Sequence, residues 1–461
     1  MFKKSVVFFL SVFCFFIISK AHALQNGSER IISENLIVQL DSSSVVQGSF
    51  KVSPDSNHIA YVANKADGKR LVVTDGREGK LYDGIGSIIF SPDSKRTAYV
   101  AKAGDKVLVV VDAKEEKQYD GIGKDLVIFS PDSKHLAYAA RAGDKWLVVM
   151  DGKEQRPYNN MGGLTFSPDS NDIAYGVKLG DKMFVALNGK EGKTYDGVAE
   201  PVFSPDSQRV AYAAKVGGKW LVVLDGNEGK PYDNISSIIF SPDSKRTAYV
   251  AKAGDKMLVV ADGKEQRQYD NMGALTFSPD SKHLAYGVKL GDKIFAVMDG
   301  KEGKQYDGIV GGSIIFSPDS KHVAYGAFVE GEAFVVIDGK EGKFYDGTGN
   351  DSIIFSPDSK RTAYVAKAGD KMLVVVDARE GKQYDGIAEG SIIFSPDSRH
   401  VTYVALVEDK GFVVLNGEEG KAYDGIITSL GGRIIFDSPD SLRYLAVKGS
   451  DVYLVEEKIK R

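Results

Sequence analysis

Ser237-Ile238-Ile239-Phe240-Ser241-Pro242-Asp243-Ser244-Lys245-Arg246-Thr247-Ala248-Tyr249-Val250-Ala251 decides the fold of this chain. It is an apolar run, a corner and a second apolar run. At the corner Pro242 fixes φ, and Asp243 and Ser244 bond back to the local backbone, which predicts a type I turn. Gly254-Asp255 then turns the chain into a third apolar run, Met257-Leu258-Val259-Val260-Ala261. Asp262-Gly263 leads through charged residues to a short fourth piece around Gln268-Tyr269. Four short strands with Gly, Pro and Asp at the corners read as one four-stranded antiparallel unit. No segment shows the 3.6-residue period of a helix.

The corner recurs at Ser53, Ser91, Ser130, Ser167, Ser204, Ser241, Ser278, Ser317, Ser356, Ser395 and Ser438, at spacings of 37 to 43 residues. A constant period near 40 marks stacked supersecondary units. Eleven four-stranded units predict an all-β propeller, above the usual four to eight blades. The last unit supplies only three strands, Arg433 to Phe436, Leu442 to Val447 and Asp451 to Val455. Asn35 to Leu40, ahead of the first corner, can supply the fourth and cover both open sheet edges. This closure favours a single ring; two tandem propellers are the alternative.

Residues 1–23 read as a signal peptide rather than part of the fold. Lys3 and Lys4 precede an apolar run, Ser5 to Ser19, and Ala21-His22-Ala23 offers small residues at the cleavage positions. The only cysteine, Cys14, lies inside that run, so residues 24–461 carry no thiol and no disulfide. Without Lys3, Lys4 and Lys20, 56 basic residues face 63 acidic ones, a formal charge of −7. That balance speaks against nucleic acid as a partner. A periplasmic or secreted protein without stable membrane insertion is expected.

Phe90-Ser91-Pro92-Asp93-Ser94-Lys95-Arg96-Thr97-Ala98-Tyr99-Val100 resembles the WD-like repeats of the TolB-type β-propeller family, over essentially residues 50–447. Those repeats usually carry Gly where this chain has Ser94 or Ser133, and Trp where it has Phe90 or Phe129. The Trp-Asp pair of true WD repeats is replaced by Val111-Asp112 or Ala261-Asp262. The separate α/β domain of TolB has no room in the about 27 residues between Ala23 and Val52. The resemblance implies a protein-binding platform in the cell envelope.

The search for chemistry finds repetition instead of a unique constellation. His58, His135, His283, His322 and His400 share one place in the repeat, which elsewhere holds Arg96, Arg209, Arg246, Arg361, Arg443 or Asp172. A position that accepts arginine wants a basic side chain rather than a metal-binding lone pair. All 22 tyrosines fall on strands, as packing residues would. Trp146 and Trp220 take matching third-strand places. No calcium loop, nucleophile elbow or phosphate loop is present. No catalytic residue, cofactor or metal is therefore expected.

Nearly all the length variation falls between the fourth-strand Tyr of one unit and the next corner: Tyr158 to Ser167 is 9 residues, Tyr423 to Ser438 is 15. Variation confined to one part of a repeat array points to a binding face around the channel mouth. Ser87 to Lys106, Ser237 to Lys256 and Ser352 to Lys371 are identical, as recent duplication leaves them. A non-enzymatic scaffold that binds protein partners is the leading reading. Its candidate partner-binding residues are Lys124, Asp125, Glu200, Asp351, Glu389, Ile427 and Arg433. A lactonase-like propeller hydrolase with a channel site and a cell-wall glycan binder are the alternatives.

Overall fold

A computed structural model describes residues 30–349 and 352–460; the expected signal peptide lies outside them. The eleven repeats form eleven antiparallel sheets, each one blade. We number the blades in chain order, blade 1 containing Ser53 and blade 11 Ser438. Blade 2 shows the pattern: Gly84–Phe90, Thr97–Ala103, Lys106–Val111 and Lys114–Glu115 pair in sequence order. Its third strand buries Leu108, Val109 and Val110 in succession, because a neighbouring blade covers each face. The fourth strand is brief; beyond it only Tyr119 returns to pair with Val107. Among the described residues the single helical segment is the 3-10 turn Ala66–Gly68.

Each apolar cluster of the molecule lies between two blades. Val72 of blade 1 packs with Tyr99 and Leu108 of blade 2, and so on around the ring. The last cluster joins Val38, Leu445 and Val452 of blade 11 to Val52, Ile59 and Leu71 of blade 1. Every interface has its own core, so the chain is one closed ring of eleven blades. A Val or Leu buried at such an interface contributes about 1.5–3 kcal/mol.

The strand Arg30–Gln39 closes the ring by pairing antiparallel with Asp451–Ile459, Arg30 opposite Ile459. It starts five residues before the expected Asn35 and ends one residue before Leu40. Glu34 on this strand accepts hydrogen bonds from Lys421 (2.9 Å), Tyr423 (2.6 Å) and Lys448.

First strands of neighbouring blades lie against one another, so they surround the axis. Their two ends are pinned. At one end the Asp83 N–H bonds Lys102 O; at the other the corner closes with Ser94 N–H on Ser91 O. Extra residues can therefore escape only from the middle, where the inner edge has no partner strand. In blades 8, 9, 10 and 11, where the count from tyrosine to corner is 11 or 15, the innermost strand is split in two, as in Gly308–Ile309 and Ile315–Phe316. Blade 3, also at 11, carries its extra residues in one irregular strand, whereas blade 5 is split at the common count of 9. Length variation thus sits on the channel wall, not on the face around the mouth as the sequence led us to expect.

Candidate binding surface

The repeated polar side chains are tied between blades. On the outer rim Glu115 of blade 2 accepts hydrogen bonds from Lys80 (2.7 Å) and Tyr82 (2.9 Å) of blade 1. Those two donors hold its carboxyl below the usual carboxylate range. Burial, then the bond to Glu115, pushes the Tyr82 hydroxyl well up. The Tyr82 ring meets Tyr99 edge-on at 6.3 Å. Lys117, Tyr119 and Glu154 repeat the arrangement one blade on. At the seam Glu34 takes the place of that glutamate.

The corner makes a second set of ties. The Ser91 hydroxyl donates to Asp93 (2.6 Å), which lowers that carboxyl, and the Asp93 N–H donates to Ser133 Oγ of the next blade (2.9 Å). The same N–H to Ser bond runs from Asp55 to Ser94 and onward to Asp358 and Ser398. Ser133 holds φ at +66°, a left-handed conformation that glycine adopts freely. Serine stands there for its hydroxyl.

The shared His/Arg place is explained by its partner. Arg96 pairs with Asp112 (2.9 Å), bonds Ser133 O and Lys134 O of blade 3, and lies 5.0 Å over Phe129. His58, His135, His283 and His322 direct Nδ1 to the matching aspartate, as in His135 to Asp151 (2.7 Å). Where the place holds Asp172, the partner is Asn188. Trp146 and Trp220 are half-buried against inter-blade cores. Among the described residues no three His, Cys, Asp or Glu side chains gather as metal ligands would.

The expected partner-binding residues are placed as follows. Lys124 and Asp125 are exposed in the irregular innermost strand of blade 3. Glu200 is exposed in the split strand of blade 5, its carboxyl against Gly163 of blade 4. Glu389 is exposed in blade 10, beside a cavity of about 340 Å³ with Met372, Ile387 and Ile392. Asp351 lies outside the described residues. Ile427 is half-buried in the seam cluster, and its N–H bonds Leu445 O. Arg433 spends its side chain on Pro54 O, and its N–H on Ser56 Oγ. The 426–432 connection, part of the 15-residue stretch from Tyr423 to Ser438, lies along the seam, where Leu430 O accepts the Val52 N–H (2.9 Å). The molecule brings together Lys124 with Asp125 and Ile427 with Arg433, and spreads the rest around the ring.

One group was not singled out from the sequence. Three residues after the second-strand Tyr, six successive blades carry Lys102, Arg141, Lys178, Lys215, Lys252 and Lys289; blades 8 and 10 carry Phe328 and Leu406. Both are exposed, each at 38 %. The hairpins that follow turn through Gly104, Gly143 and their equivalents at positive φ, but through Glu330 (φ 52°) and Glu408 (φ 53°) in blades 8 and 10. Aligning the repeats by their tyrosines would have shown all four.

No family model matches the chain, and no curated protein does. Among solved structures it is similar to a "eukaryotic initiation factor", at 13 % identity and TM-score 0.42, covering 73 % of this chain and 96 % of that one. A "Dos1 propeller" matches at 11 % identity and TM-score 0.32, over 71 % and 90 %. The "Cps50 (Swd1) beta-propeller domain" from Myceliophteria thermophila matches at 10 % and 0.27, over 56 % and 98 %. At these scores the ring is established by the chain's own strand pairing.

Proposed function

We propose that this chain is an exported, non-enzymatic platform that binds protein partners on its inner wall, in the cell envelope or outside the cell. One observation carries the reading. The rim glutamates with their Lys and Tyr donors, and the corner serines, recur around the ring and tie neighbouring blades together, whereas charged side chains that occur once, such as Lys124 and Glu389, are exposed on the wall. A surface that varies over a constant frame suits recognition. Export is supported by the N-terminal pattern and the thiol-free remainder, and the envelope setting by the TolB-like repeat.

The test is crosslinking of the folded protein in an envelope extract of its own source, read by mass spectrometry. A protein joined through Lys124, and no longer captured after Lys124→Glu, is the expected result. Empty capture by folded protein, or turnover of a lactone or ester panel, would overturn the proposal.

A further inference from the structure

The geometry points to a binding site for free arginine, taken as a zwitterion, in the groove between blades 4 and 5; it goes beyond the platform reading. The pattern for the site is the chain's own. In blades 2, 5, 6 and 9 an arginine two places after the corner reaches across to the next blade. Arg246 pairs with Asp262 (2.9 Å), donates to Ser281 O (3.1 Å) and Lys282 O (2.7 Å), and lies 5.1 Å over Phe277. Arg96 and Arg361 make the same four kinds of contact, and so does Arg209. Each guanidinium thus fills its groove with a planar fork that stacks and donates at once.

Blade 4 keeps the receptor and loses the arginine. That place holds the half-buried Asp172, and the residue facing it is Asn188, which donates Nδ2–H to Asp172 (2.5 Å) and accepts the Ile173 N–H (2.9 Å). An aspartate is too short to cross to the next blade. Among the described residues Ser207 O and Gln208 O, the two matching carbonyls of blade 5, accept no hydrogen bond, and no cation or ring covers Phe203. Asp172, Phe203, Ser207 and Gln208 line one cavity of about 490 Å³, a size that suits a small ligand. A guanidinium seated there meets a carboxylate, two carbonyls and an aromatic face, the groups that Arg246 meets in blade 6. The other charges choose the rest of the ligand. Glu191 pairs with Arg156, Lys193 with Glu228, and Arg209 with Asp225. Lys190 lines the same cavity and forms no ion pair. The uncompensated charges are therefore one carboxylate, Asp172, and one ammonium, Lys190. A ligand with a guanidinium at one end and a carboxylate at the other answers both.

The test is isothermal titration calorimetry of the folded protein with L-arginine, L-citrulline, L-lysine and L-argininamide. We expect one L-arginine per chain. Citrulline has the shape without the charge, lysine the charge without the planar fork, and argininamide no carboxylate; each should bind at least tenfold more weakly. Asp172→Arg with Asn188→Asp gives blade 4 the pair that blade 6 carries and should abolish uptake. Arg96→Asp with Asp112→Asn should raise the stoichiometry from one to two, since Lys114 stands in blade 2 where Lys190 stands in blade 4. Thermal melts confirm that each variant is folded; if the blade 2 pair does not fold, the blade 4 pair decides. The inference is overturned by no uptake of arginine, by equal uptake of any of the other three, or by uptake unchanged in the blade 4 variant. A stoichiometry that stays at one in a folded blade 2 variant overturns it too. Capture through Lys124 is a separate measurement, so none of these outcomes touches the platform reading.

Discussion

At the residue scale the final serine of the corner does two opposed things. Ser244 holds φ at +65°, and its hydroxyl accepts the Asp206 N–H (2.9 Å) from the preceding blade. Ser244→Ala keeps the strained backbone and removes the acceptor, and should cost about 1 kcal/mol for a part-buried N–H that loses its protein partner. Ser244→Gly removes the same acceptor but relaxes the left-handed backbone, and should cost about 1 kcal/mol less. Urea denaturation checks the order; equal losses would show that the backbone strain is not felt. The same place shows what could be read beforehand. That serine replaces the glycine of TolB-like repeats was visible in the sequence. Its purpose was not, because the bond reaches a backbone N–H about forty residues away. The shared His/Arg place was legible as basic for a similar reason, whereas its aspartate partner sits 16 or 17 residues on and needed the hairpin to bring it near.

At the element scale the second and third strands were legible, since continuous apolar runs between sharp corners have no other reading. The innermost strand was only half legible. Counting residues located the extra length, but only the pinned ends show that it leaves from mid-strand onto the channel wall. This moved the candidate surface and turned Arg433 and the 426–432 connection into parts of the seam. The closing strand carries its own pH signature. Burial works against ionising Glu34, but the hydrogen bonds from Lys421, Tyr423 and Lys448 outweigh it and hold its pKa at about 2, below the ordinary 4.5. A depressed carboxyl stabilises the fold above its unfolded pKa and loses that contribution as pH falls through the folded value. Glu34→Gln should therefore be less stable than the parent at pH 7. The difference should shrink between pH 4.5 and pH 2, as read by denaturation at each pH. A gap that does not change with pH would detach Glu34 from the closure.

At the scale of the whole molecule the blades are close to interchangeable. Residues 87–106 and 237–256 are identical, and each forms the same corner with the same second strand. Removing residues 107–256 joins Lys106 to Met257 and deletes four blades, leaving seven with their interface residues in kind. Each blade would then turn about 51° from its neighbour instead of about 33°, within the common propeller range. We expect a folded monomer of smaller radius by light scattering and small-angle X-ray scattering. Open or concatenated oligomers would show that the interfaces themselves specify eleven.

The pairing of Arg30 with Ile459 also orders events in time. Every other blade completes itself from consecutive residues, whereas blade 11 waits for two segments more than four hundred residues apart. Chain-closure entropy grows only as the logarithm of length, so this one step costs about 2 kcal/mol more than closing a single repeat. The delay matters more than the cost. Until the last strand has been synthesised, the arc presents an unpaired apolar flank at each end, and two such arcs can join each other as readily as themselves. Dilution should favour rings and crowding should favour chains of arcs, so concentration during refolding, rather than sequence, decides between the two.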